Sequence, residues 1–369
     1  MKELVSLLRE QISKTGSAVI KDRQILADRV LHLGGNVTFC NCDVQVGPNG
    51  SFVTEEDANV AWENCRFVGT LNSADRPVLS APEESSIRFT DCRFENVGSL
   101  VCTDGALRMT NCEAACGGTV ENVPPEEKPV RMPPNAAAMF AMAMNRTSGE
   151  PYFRFVKADG EDVCLENCTF LFERSKAFTT ALEADHAVLK GCTLQGISKL
   201  RAEELKSCKL ESCDTIHLET EEGENSAVQC IFRDCRRIWV ESGLLSACQI
   251  DAHRDYLHLQ DTQMDACTVK NIRRKGGETL DLYNCEINGC RFENITLTDN
   301  ADLISADPES SVNRCTFERC KTTNPDRQII FCESEHRSLF GTTTEDEDIC
   351  FDCVGLELVS RMEDWEAED

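Results

Sequence analysis

Hydrophobic and polar residues alternate along most of this chain in runs too short for helices and too regular for loops. A cysteine is followed two positions later by an apolar residue, and three positions further by another apolar residue or a second cysteine. The unit occurs at Cys92/Phe94/Val97, Cys192/Leu194/Ile197, Cys208/Leu210/Cys213, Cys230/Phe232/Cys235, Cys267/Val269/Ile272, Cys285/Ile287/Cys290 and Cys315/Phe317/Cys320. Cys65/Phe67, Cys168/Phe170 and Cys248/Ile250 keep its first half. Positions i and i+2 share a side only on extended backbone. The step to i+5 is odd, so a bend between two short strands must turn the third residue inward again. In several units an alternating pair follows: Leu100/Cys102, Ile216/Leu218 and Ile238/Val240.

From Cys192 the units return through Cys208, Cys230, Cys248, Cys267 and Cys285, at steps of 16, 22, 18, 19 and 18 residues. A fixed short motif at variable spacing signals a solenoid whose loops differ in length. Leu205-x-x-Cys208-x-Leu210-x-x-Cys213 also fits a leucine-rich repeat. That repeat needs an apolar helical segment after the strand, whereas Asp214 to Glu224 reads as an alternating strand and a turn. The pattern therefore favours an all-β parallel β-helix.

Thr90-Asp-Cys-Arg-Phe-Glu-Asn-Val97 and Asn284-Cys-Glu-Ile-Asn-Gly-Cys-Arg-Phe-Glu-Asn294 resemble the coils of right-handed parallel β-helix proteins of the pectin-lyase-like superfamily. The resemblance covers roughly residues 30 to 355 and implies an architecture. It implies no single activity, because the scaffold carries lyases, hydrolases, adhesins and binding proteins.

Residues 1–16 predict an amphipathic capping helix, with Leu4, Leu7, Leu8 and Ile12 at helical spacing and Gly16 as its stop. Residues 17–359 form the β-helix. It is interrupted at 117–160 by a proline-rich insertion around the run Asn135-Ala-Ala-Ala-Met-Phe-Ala-Met-Ala-Met144, which predicts a short apolar helix. Residues 360–369 are an acidic tail.

The formal net charge of −26 argues against a nucleic-acid backbone as the partner, which basic patches would hold. An acidic rod acting as a charge mimic of nucleic acid is an alternative of a different class. The 23 cysteines sit where a β-helix wants small apolar residues, and a free cysteine behaves as one. Met1 to Glu10 carries charges where a signal peptide needs an apolar core. The longest apolar run is too short to cross a bilayer. These features point to free thiols, a cytoplasmic location and no membrane.

Candidate chemistry is thin. His253, Asp255 and His258 lie in the densest group of catalytic residue types, with Tyr256 and His258 expected outside and His253 and Asp255 on a solvent-exposed turn. Arg273 and Lys275, with Asp281, Asp299 and Asp302, could supply the basic and acidic groups that β-helical lyases and hydrolases display on adjacent coils. No signature of those enzymes is present, and Trp and Tyr number only three each. Cys350 and Cys353 have metal-ligand spacing, and Cys40-x-Cys42 offers a second pair, yet four converging donors are not evident. No cofactor is expected. Met139, Phe140, Met142 and Met144 would present adaptable apolar surface. The sequence thus favours a non-catalytic scaffold that binds a protein partner through 117–160. A carbohydrate-active or sugar-binding protein using the face around residues 253 to 302 is the alternative.

Overall fold

The computed structural model describes residues 2–47, 49–69, 77–116, 153–173, 180–184, 186–220, 224–307, 309–323, 330–332 and 349–351. Every strand pairing in it is parallel, and the strands fall into a 25-stranded and a 14-stranded sheet. A typical coil contributes three short strands, as in Val30–Leu33, Asn36–Cys40 and Asp43–Val46. The first two join the large sheet and the third joins the small one. This is the parallel β-helix that the alternation predicts.

The repeat unit corresponds to the small sheet and its two corners. Twelve successive coils place a buried cysteine at one corner: Cys42, Cys65, Cys92, Cys112, Cys168, Cys192, Cys208, Cys230, Cys248, Cys267, Cys290 and Cys315. The residue before each has φ between 50° and 63°, and asparagine or aspartate stands there in five of them. These residues tolerate the left-handed conformation better than other non-glycine types. The apolar residue at i+2 stacks in register through Phe67, Phe94, Ala114, Phe170, Leu194, Leu210 and Phe232. A second left-handed residue, such as Asn96, Ser212 or Asp234, makes the bend that returns i+5 to the core.

The sulfur fits its corner for a reason beyond size. Cys208 Sγ lies 3.4 Å from the Lys206 carbonyl and 3.3 Å from the Leu189 carbonyl of the neighbouring coil. The Cys208 amide in turn lies 3.4 Å from Cys230 Sγ. A weak donor and acceptor thus meets corner groups that an alanine would leave unsatisfied. Burial pushes the Cys116 and Cys285 thiols up to about 12 and about 11, so both stay protonated. None of the cysteines from Cys40 to Cys320 is bridged. Of the cysteines from Cys40 to Cys320, only Cys40, Cys102 and Cys164 are partly exposed. Brief alkylation of native protein, mapped by mass spectrometry, should label these three ahead of every cysteine in the stack. Equal labelling of the stack would contradict the packing.

Three expectations need correction. Cys285/Ile287/Cys290 is not a repeat unit: Ile287 pairs with Met264 and Val312 in the large sheet, and the true unit is Cys290/Phe292/Ile295. An Asn–Cys corner at Asn284-Cys285, with Asn284 at φ 51°, imitates the motif at a different corner of the coil. The coils also resume before residue 160, since Phe153–Ala158 is a strand paired with Val101–Thr103 and Thr180–Ala184. Cys40 and Cys42 do not form a pair of ligands, because left-handed Asn41 turns Cys42 into the core and leaves Cys40 near Glu63.

The single described helix, Lys2–Thr15, ends at Gly16, whose amide closes on the Ile12 carbonyl at 2.8 Å. Leu8 is buried and Leu7 and Ile12 pack against the core, so the helix covers the first coil. No described helix is long and apolar enough to cross a membrane.

Candidate functional site

The strand that follows the second corner carries an outward residue between two buried ones in coil after coil. Leu200-Arg201-Ala202, Ile216-His217-Leu218, Ile238-Trp239-Val240, Leu257-His258-Leu259 and Leu280-Asp281-Leu282 lie in register. Their central residues form one column: Arg201, His217, Trp239, His258 and Asp281. One pleat further along, Glu219, Glu241, Gln260 and Tyr283 form a second column. The core pattern therefore fixes the spacing of the outward groups, at about 4.8 Å from coil to coil.

Rings from the two columns make a continuous ladder along this face. His217 and Trp239 have centroids 5.7 Å apart, Trp239 and His258 4.8 Å, and His258 and Tyr283 5.3 Å. Trp239 is 37% exposed and Tyr283 47%, the two exposed large aromatics among the described residues. His258 Nδ1 lies 2.9 Å from Asp281 Oδ2. That bond orients the imidazole and favours the tautomer with its proton on Nδ1, leaving Nε2 as an acceptor. Arg201 Nη2 donates to Glu219 Oε2 at 3.0 Å, and His217 Nε2 lies 3.4 Å from Glu241 Oε1.

Of the residues singled out in the sequence, only His258 and Asp281 come together here. His253 is 4% exposed, which overturns its placement on a solvent-exposed turn. It occupies the i+5 position of the Cys248 coil, in the core column after Cys213 and Cys235 and before Ile272. Burial, then the Arg274 charge, pushes its pKa down to about 4, against a smaller opposing pull from the Cys235 carbonyl and Asp255. Asp255 serves structure: it faces Arg274 at 3.2 Å and Arg236 at 3.6 Å. Arg273 and Lys275 are exposed at the start of Arg273–Tyr283, where that strand pairs with Thr296–Ala306. Lys275 faces Asp299 at 3.6 Å, with both side chains largely exposed. Asp302 is buried. Cys350 lies in register with Phe317, while Cys353 and the Met139, Phe140, Met142 and Met144 group fall outside the described residues.

The sequence reading passed over Arg201, His217, Glu219, Trp239, Glu241 and Tyr283. Their signal was present, because each of the first column sits between two core residues of the alternating pair. They are 16 to 23 residues apart, so no local cluster drew attention to them.

No family model matches this chain, and no curated protein does. Solved structures match by fold. Tailspike protein 3 of bacteriophage CBA120 has a TM-score of 0.43 at 8% identity, over 95% of this chain and 58% of that one. The Agl-KA catalytic domain has a TM-score of 0.41 at 8% identity, over 95% and 65%. The A-module of the mannuronan C-5 epimerase AlgE4 of Azotobacter vinelandii has 0.36 at 8%, over 88% and 87%. The chain thus spans less than two thirds of the first two structures. The chain's own strand pairings show a parallel β-helix.

Proposed function

We propose that the face running from Arg201 to Tyr283 binds a carbohydrate chain. The observation that carries this reading is the pair of exposed rings, Trp239 and Tyr283, on either side of His258, which pairs with Asp281. A pyranose ring presents an apolar face of C–H groups that packs on an aromatic ring, while its rim of hydroxyls needs donors and acceptors alongside. Trp239 and Tyr283 supply the first requirement. His258, Asp281, Gln260 and Arg201 supply the second. The two aromatic rings are about two strand spacings apart, roughly 10 Å, so successive sugar rings can use both.

Glu219, Glu241 and Asp281 line the face, and the chain carries a net charge of −26. Both features disfavour a polyanionic chain and favour neutral or amino sugars. This reading takes the place of a protein-partner scaffold as the leading one, because its groups lie within the described coils and converge there. A panel of immobilised neutral and amino-sugar oligosaccharides tests it. Wild-type protein should bind at least one of them, and Trp239→Ala and Tyr283→Ala should each weaken binding by roughly tenfold or more, about 1.4 kcal/mol. Binding that survives both substitutions, or no binding to any panel member, would sink the proposal.

A further inference from the structure

We infer that His217, Glu219 and Glu241 form a binding site for a first-row divalent cation. The inference goes beyond the sugar reading and rests on different atoms. His217 and Glu219 stand two residues apart on Thr215–Glu219 and so project from one side of the strand. Glu241, on Arg237–Ser246, lies directly in register with Glu219 on the next coil. One donor atom from each of the three lies within 4.8 Å of the other two.

Two features of this cluster call for a cation. Glu219 and Glu241 are like charges directly opposite each other on neighbouring strands, an arrangement that destabilises a sheet unless something offsets it. Arg201 offsets Glu219 through Oε2 at 3.0 Å. The group facing Glu241 is the His217 imidazole, whose buried Nε2 lies 3.4 Å from Glu241 Oε1 without hydrogen-bond geometry. An imidazole nitrogen that faces a carboxylate without hydrogen-bond geometry is a ready metal ligand. One divalent ion would coordinate Nε2 and an oxygen of each glutamate, and offset both carboxylate charges.

One imidazole and two carboxylates form a mixed nitrogen and oxygen set. It suits Mn²⁺, Fe²⁺ or Zn²⁺ better than Ca²⁺, which prefers six to eight oxygens. Three protein donors leave coordination positions open to water or another ligand. The ring contact of His217 with Trp239 holds the imidazole in place and sets the ion beside the aromatic ladder.

Mn²⁺ is the probe of choice, because the chain's many thiols compete poorly for this hard ion. Protein stripped with chelator and desalted would be titrated with MnCl₂ while the six-line electron paramagnetic resonance signal of free Mn²⁺ is followed. Wild-type protein should remove one Mn²⁺ per chain from that signal. His217→Gln, Glu219→Gln and Glu241→Gln should each weaken binding by roughly tenfold or more. Glu84→Gln, an exposed carboxylate elsewhere, should leave it unchanged. Circular dichroism confirms that each variant retains its strands. Absence of stoichiometric binding by wild-type protein overturns the site. So do titrations of the three folded variants that superimpose on the wild-type curve, which would place the ion on other acidic groups. Tyr283→Ala, two coils beyond Glu241, should retain the ion, so a failed sugar assay and a failed metal assay remain distinguishable.

Discussion

Replacing Trp62 with alanine should destabilise the fold by about 4 kcal/mol, the largest loss expected from any single side chain. Trp62 is fully buried and stacks on Phe39 at a centroid distance of 3.8 Å with the planes 7° apart. Phe52 at 5.2 Å and Phe67 at 5.0 Å meet it edge-on. Truncation would open a cavity against Phe39 of the preceding coil and Phe52 and Phe67 of the same coil, and each solenoid coil has only its two neighbours to collapse into it. The residues in register on either side, Phe39 and Phe89, show that the column accepts a phenyl ring. Trp62 Nε1 is also buried without a hydrogen-bond partner, so phenylalanine removes an unsatisfied donor along with some volume. Trp62→Phe should therefore stay within about 1 kcal/mol of wild type. Urea denaturation followed by circular dichroism distinguishes the outcomes. Equal midpoints for Trp62→Ala and wild type would show that this column is not packed as described.

The second large effect is an acid-sensitive fold that one substitution relieves. His253 sits in a column otherwise filled by Cys213, Cys235, Ile272, Ile295 and Cys320. Both its ring nitrogens are buried without hydrogen-bond partners. Its pKa falls from 6.5 to about 4, chiefly through burial and then through the charge of Arg274. The folded protein therefore holds His253 neutral at pH values where the unfolded chain takes up a proton. Stability is unaffected by this group above pH 6.5 and is lost progressively between pH 6.5 and 4. The loss amounts to about 3 kcal/mol at the acid end of that window. His253→Ile removes the titration. Its stability advantage over wild type should widen by about that amount from pH 7 to pH 4, and it should persist at pH 7 because two unpartnered nitrogens are gone. A pH-independent difference between the two proteins would show that His253 titrates normally, and hence that it is not buried.

Both effects follow from positions whose meaning depends on the register of stacked coils, and the same dependence decides what was legible beforehand. The Cys-x-apolar unit, its return at variable spacing and the amphipathic N-terminal run determine a parallel β-helix with a helical cap. The reason is that alternation and the odd step to i+5 are local properties of the backbone. His253 was within reach of that reading, since it lies five residues after Cys248 where a core residue belongs, but a polar side chain there suggests a surface turn. Cys285 shows the opposite failure, because an Asn–Cys corner outside the stack has the same local sequence as one inside it.

The candidate face was beyond local reading. His217, Trp239, His258, Asp281 and Tyr283 become neighbours only when five coils are placed in register, and the register depends on loop lengths. The coil from Cys267 to Cys290 is longer than the four coils before it because Arg273 to Gly277 make an excursion at the corner. That excursion separates Arg273 and Lys275 from the His258 column and brings Asp281 into it. Strand alternation fixed which residues face outward. Tertiary stacking decided which outward residues meet, because parallel register joins side chains about 20 residues apart and no short-range interaction encodes that distance.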